Sequence, residues 1–352
     1  MTRVRASVRG VRHALLAGLI FAAPTVLAQS QPLPARRVVA HEVPVPTTVS
    51  PDMQARIARP DMTWPTSFPT TNAGWRALDN PDPAASRARL DSLLAQFDLE
   101  LKKVRFGNVA CHEITPRKPA DRKRGRLLVH LHGGGYVFGA GERGLAEAIL
   151  VAGTSGIRTI SVDYRLPPDY PFPTPLDDVV SAWKAIAADH PDAHIGLFGN
   201  SAGAALGLSL VQLGVREHLP LPRAIVAATP WSDLSETGDS YFTNKHLDPV
   251  PYHGILSVAA RQFAGGAELK DPRLSPVYGD FGDFPPTLLL SGTRDIFLSN
   301  AVRVDRKLRD AGRESSLILY EGQSHGRHLA GWDYPETRTT LQDIGRFWDR
   351  HL

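Results

Sequence analysis

Cysteine is nearly missing from this 352-residue chain: Cys111 stands alone, so no intramolecular disulfide can staple the fold. Stability has to come from a buried core. With 42% hydrophobic and 22% charged residues, the composition is that of an ordinary globular chain and supports one. Cys111 itself lies in the alternating run Val109-Ala110-Cys111-His112-Glu113-Ile114, which points to a packed thiol on a strand rather than a nucleophile.

Long apolar runs are scarce as well. The stretch Ala14–Ala23 is too short for a comfortable membrane span, and no later segment is longer and as apolar. It follows Arg3, Arg5, Arg9 and Arg12 and precedes the small residues of Val26-Leu27-Ala28. Residues 1–28 therefore read as a secretory signal peptide cleaved near Ala28, with the periplasm or the medium as destination. An uncleaved N-terminal anchor is the alternative. Net charge is the third thing in short supply. The formal value of +4 equals the four signal arginines, since residues 1–28 hold no acidic residue. The remaining chain is near neutral, so its charge does not point to a nucleic-acid partner. The basic cluster 117–126 precedes an apolar strand and reads as a solvated loop.

Residues 29–100 begin rich in Pro, Thr and Arg and then turn helical, with Leu90, Leu93, Leu94 and Phe97 at helical spacing. This segment reads as an N-terminal extension and small helical cap, with Trp64, Phe68 and Trp75 as candidates for the substrate entrance. Residues 101–352 read as the catalytic domain. Runs around Val104 and Val109 suggest an antiparallel hairpin. Six short apolar strands follow, at 127–131, 159–162, 195–198, 224–228, 287–290 and 317–319. Helical patterns fall at 143–153, 175–189, 202–213, 300–311 and 336–350. Short strands alternating with helices predict an α/β fold with a mainly parallel central sheet flanked by helices. Residues 235–275 break the rhythm and read as a further part of the cap.

Gly199-Asn200-Ser201-Ala202-Gly203 has the pattern G-x-S-x-G, between a strand and a helix. That setting is what makes a weak pattern informative: a nucleophile elbow needs a sharp strand-to-helix turn with small flanking residues. His132-Gly133-Gly134-Gly135 follows another strand, 69 residues before Ser201. Glycines there let backbone N–H groups approach a developing oxyanion. A serine also needs a base, and the base an orienting acid. Asp295 follows the strand 287–290 and His325 follows 317–319, both at the strand ends where open α/β sheets place their sites. Asp283 and Asp305 compete as the acid and His328 as the base, without that placement.

Together these residues resemble the hormone-sensitive-lipase-like esterases, the bacterial group with an HGGG motif, over about residues 104–350. Asp163-Tyr164-Arg165-Leu166, Pro230-Trp231-Ser232-Asp233 and Asp271-Pro272-Arg273-Leu274-Ser275-Pro276 are similar to further blocks of that family, and read as braces for loops. The resemblance implies an α/β-hydrolase fold with a helical cap. It also implies oxyanion donors at Gly133, Gly134 and Ala202, and a triad of Ser201, Asp295 and His325. The chain departs from the family at Asn200, where an acidic residue is common, and at Gly326-Arg327, where a Gly-aromatic pair is common.

The leading expectation is a serine carboxylesterase for small to medium acyl esters, needing no cofactor or metal. Lactone hydrolysis by the same mechanism stays open. His130-Leu131-His132 and His325-Gly326-Arg327-His328 leave a metal-dependent lactonase as a weaker reading, and a non-catalytic ligand-binding protein on this scaffold is another.

Overall fold

The computed structural model describes residues 38–59, 67–69, 71–79, 82–118, 123–329 and 331–352, with residues 2, 35 and 36 besides. The expected signal peptide (Thr2 apart) and Trp64 lie outside the described residues. Residues 38–43 carry neither helix nor strand and belong to a separate unit from residues 44–352. Among the described residues, no helix is long and apolar enough to cross a membrane.

Among the described residues, eight strands form one sheet in the order β1-β2-β4-β3-β5-β6-β7-β8. They are β1 (Leu99–Phe106), β2 (Val109–Pro116), β3 (Arg126–Leu131), β4 (Thr159–Val162), β5 (His194–Asn200), β6 (Ala224–Ala228), β7 (Thr287–Gly292) and β8 (Ser315–Tyr320). β1 and β2 pair antiparallel, β2 pairs antiparallel with β4, and all other pairings are parallel. The expected architecture is thus observed.

Among the described residues, ten α-helices accompany the strands: α1 (Pro51–Ile57), α2 (Asn72–Asp79), α3 (Pro83–Gln96), α4 (Ala146–Ser155), α5 (Thr174–Asp189), α6 (Ala202–Glu217), α7 (Ser240–Thr243), α8 (Ser257–Ala264), α9 (Leu298–Asp310) and α10 (Pro335–His351). The central strands are apolar throughout because both faces are covered. Alternate side chains enter two different cores. Leu127, Val129 and Leu131 of β3 join one with α5, α6 and α9, while Leu128 joins the other with α4 and α10. On β5, Leu197 faces the first core and Phe198 the second.

The strand order fixes where a site can form. From β3 the chain moves outward to β4, then crosses back to β5 on the other side of β3. The crevice of an open α/β sheet lies at such a reversal, outside the carboxyl ends of the strands. The loops after β3 and β5 both emerge there.

The segment expected to form a cap divides in two. α2 sits by this crevice: Asp79 accepts a hydrogen bond from Gly139 N at 3.1 Å, and Trp75 packs between Phe68 and Phe138. α3 instead packs on the flank, with Leu90 in the core built by α4 and α10. The 235–275 region does reach the crevice, through Leu256 and Ala259.

Trp348 on α10 is fully buried, packs against Phe198 with ring centroids 6.5 Å apart, and comes so close to Gly196 that a methyl there would lie 2.9 Å from its ring. Trp348→Ala opens a large cavity against the sheet and should cost about 3–5 kcal/mol of stability in denaturant unfolding. A loss below about 1 kcal/mol would show that α10 contributes little to the fold.

Candidate active site

β5 ends at Asn200 and α6 begins at Ala202, which leaves Ser201 alone to make the turn. It does so with φ 57° and ψ −118°, a conformation that side-chain-bearing residues rarely adopt. Its backbone is held from both sides: Ser201 N donates to Ala228 O at 2.9 Å, and Ser201 O accepts from Trp231 N at 3.1 Å. The turn is also jammed against the end of β3. A methyl on Gly203 would fall 1.9 Å from Leu131 O, so only glycine fits there.

The glycine loop after β3 lies directly beside this turn. A methyl on Gly133 would stand 2.9 Å from Asn200 O and 3.5 Å from Ser201 Cβ. Gly134 has φ 123°, and its carbonyl accepts from Phe138 N at 2.8 Å; a methyl there would strike Phe138 O at 2.1 Å. Among the described residues, the N–H groups of Gly133, Gly134 and Ala202 meet no acceptor within the protein. His132 is structural: its ring stacks on Tyr164 at 4.1 Å, and burial pushes its pKa down to about 4. Tyr164 OH in turn donates to His132 O at 2.6 Å, which ties the loop to the Asp163-Tyr164-Arg165-Leu166 block.

The structure brings Ser201, His325 and Asp295 together. His325 Nε2 lies 2.9 Å from Ser201 Oγ, and Nδ1 lies 3.2 Å from Asp295 Oδ1. Asp295 is fully buried, and its carboxylate accepts from Phe297 N at 2.8 Å and Ser291 Oγ at 2.7 Å. Burial alone would lower the His325 pKa. The hydrogen bond and charge of Asp295, helped by the charge of Asp248, outweigh burial and hold it above the ordinary imidazole value. The competing candidates lie elsewhere. Asp283 sits near Arg313, Asp305 pairs with Arg309, and His328 is buried with neither ring nitrogen bonded. His130 is engaged by Ser161 and Glu147, and among the described residues no three His, Cys, Asp or Glu side chains converge as a metal site.

Two features escaped the sequence reading. The first is Asp248, which is 3% exposed and accepts three backbone N–H groups: Val250 at 2.9 Å, Ile296 at 2.9 Å and His325 itself at 2.8 Å. Burial pushes its pKa up to about 6, opposed by the neighbouring His325. The second is an aromatic wall. Phe297 meets the His325 ring edge-on at 4.8 Å and stacks on Trp231 at 5.2 Å, and Tyr136 of the glycine loop packs against the same tryptophan. The Trp231 block also braces loops as expected, since Asp233 forms an ion pair with Arg303.

A cavity of about 400 Å³ opens over Ser201 and His325, walled by Phe138, Val250, Leu256 and Ala259. A profile of the α/β-hydrolase fold family matches residues 128–329. The chain belongs to that family. Its solved relatives include an esterase called E25, 34% identical, with a TM-score of 0.83 over 90% of this chain and 99% of the other. An esterase of the bacterial hormone-sensitive-lipase family is 28% identical, with a TM-score of 0.73 over 86% and 98%. An acetyl-hydrolase of Streptomyces hygroscopicus is 29% identical over 231 residues, 65% of this chain and 77% of that one. The present α/β-hydrolase is a carboxylic ester hydrolase of the hormone-sensitive-lipase-like group, as its motifs led one to expect.

The charge balance around His325 can be measured directly. A histidine-selective NMR titration should give His325 a midpoint above the reference value of about 6.5. A midpoint at or below that value would mean that burial outweighs the two carboxylates.

Proposed function

We propose that the protein is a serine carboxylesterase for small to medium acyl esters, with Ser201 as nucleophile, His325 as general base and Asp295 as its orienting acid. The observation that carries this reading is the continuous contact from Asp295 through both ring nitrogens of His325 to Ser201 Oγ. Nδ1–H donates to Asp295, which leaves the Nε2 lone pair to accept the serine proton. Ser201 Oγ then attacks the ester carbonyl, and the new imidazolium is stabilised by the buried carboxylate. Negative charge moves onto the carbonyl oxygen, where the N–H groups of Gly133, Gly134 and Ala202 receive it. These groups are held by a rigid loop and a helix start, so little reorganisation is needed as charge develops. Collapse of the intermediate expels the alcohol, which takes the proton from His325. Water repeats the sequence to release the acid.

The cavity supports a small substrate. A volume of about 400 Å³ with an apolar wall of Phe138, Val250, Ile255, Leu256 and Ala259 suits short acyl chains, in keeping with the acetyl-hydrolase among the relatives. In a series of p-nitrophenyl esters from about two to sixteen carbons, kcat/KM should peak below about eight carbons. Ser201→Ala should lower it by at least about 10³-fold with unfolding unchanged. Retained activity in folded Ser201→Ala would overturn the assignment, and a maximum at the long chains would overturn the size argument.

Asp248 enters the same reading as a positioning residue. It holds the His325 backbone and adds negative charge near the ring. Because His325 must be neutral to act, the rate falls as pH drops through its raised pKa. Asp248→Asn removes one charge and turns an amide towards N–H donors. The acid limb of kcat/KM should shift to lower pH, and kcat should fall roughly 10- to 100-fold with KM changed far less. An unshifted acid limb in a folded variant would reduce Asp248 to a loop anchor.

A further inference from the structure

A second recess, distinct from the cavity over Ser201, lies against the loop that carries His325. It has a volume of about 220 Å³, and its described lining includes Arg56, Arg59, Arg294, Arg327 and Ser324. Apolar side chains of α1 and of the segment after α7 complete it, and no acidic residue is among the described lining.

Four arginines line this one recess with no acidic residue among its described lining. Several other arginines are matched with carboxylates, Arg76 with Asp169, Arg158 with Glu113, Arg165 with Asp178 and Arg303 with Asp233, while isolated ones such as Arg105 and Arg338 donate to backbone carbonyls. In the recess the partners are neutral or missing. Arg294 Nη2 donates to Pro44 O at 2.6 Å. Arg56 Nη1 donates to Tyr334 OH at 3.2 Å, and its guanidinium lies over that ring. The Nε of Arg56 is buried without an acceptor. Arg59 and Arg327 make no ion pair among the described residues. The half-buried Arg327 has its pKa lowered, first by burial and then by the charge of Arg56, with Arg59 adding to it and Asp248 offsetting part.

Like charges crowded in a recess destabilise the fold unless something neutralises them. Arginine forks are suited to oxygens of phosphate and carboxylate, which they hold by two parallel N–H···O bonds. We propose that this recess is a binding site for a small, doubly charged oxyanion, of the size of phosphate or a short dicarboxylate. Four arginines line it from three separate segments, at and just after α1, after β7 and after β8, and Ser324 lines it with them. The volume excludes a large organic ligand and accommodates a small anion. The site does not depend on the catalytic reading, because none of its arginines takes part in the proposed acyl transfer.

Calorimetric titration of the intact protein with inorganic phosphate and with succinate, at constant ionic strength in chloride, tests the proposal and separates the two ligand types. At least one should bind with a Kd of about 1 mM or tighter and one site per chain. Binding should be the same in Ser201→Ala, so failure of the esterase reading would leave this result untouched. Arg59→Gln, at an exposed position, should weaken binding about 3-fold, and Arg59→Gln with Arg327→Gln by 10-fold or more. Absence of binding by both anions at about 10 mM would overturn the site, as would equal affinity in a folded double variant or equal competition by chloride.

Discussion

The close approach of Gly203 to the carbonyl of Leu131 is the contact on which the rest of the site depends. It presses the start of α6 against the end of β3. That single contact sets the separation between the serine turn and the glycine loop, because each begins within a residue or two of it. A side chain at position 203 would push the two apart and change the spacing between Ser201 and the glycine loop. Parallel pairing of β3 with β5, which matches Leu131 with Gly199, carries the same alignment into the body of the sheet.

Much of this was legible in the sequence because the signals were local. β4 and β6 fall at the expected residues, 159–162 and 224–228: β6 is a plain apolar run, and β4 is a short β-branched one bearing Thr159, Ile160 and Val162. The turn at Ser201 could be read because its geometry demands small residues at fixed offsets. Strand ends were less legible: β5 extends to Asn200 and β7 to Gly292, where polar or glycine residues continue the hydrogen-bond ladder without any apolar signal. The cap was harder still. α3 has the composition of a covering helix, yet its Leu90 and the neighbouring Leu93 and Leu94 turn to the flank of the sheet.

Asp248 illustrates a different limit. Nothing in His246-Leu247-Asp248-Pro249 marks it out, because its importance lies in three backbone N–H groups from three regions of the chain. Those partners are adjacent only after folding. The aromatic wall is similar: Tyr136, Trp231 and Phe297 are far apart in sequence and meet beside the histidine. Local patterns pick out Ser201, Asp295 and His325, whereas the groups that hold them in place are a property of the tertiary structure.

The backbone of Ser201 has one more consequence. A residue with a side chain held at φ 57° and ψ −118° is strained by roughly 1–3 kcal/mol. Folding as a whole yields only about 5–15 kcal/mol, so a measurable part of the stability of the enzyme is given up at one residue. A chain with glycine at position 201 would be free of that strain and would make the sturdier protein, though one without the hydroxyl that meets His325. Selection for robustness alone would therefore remove this serine early, so its retention under strain is in keeping with the nucleophilic role proposed for it.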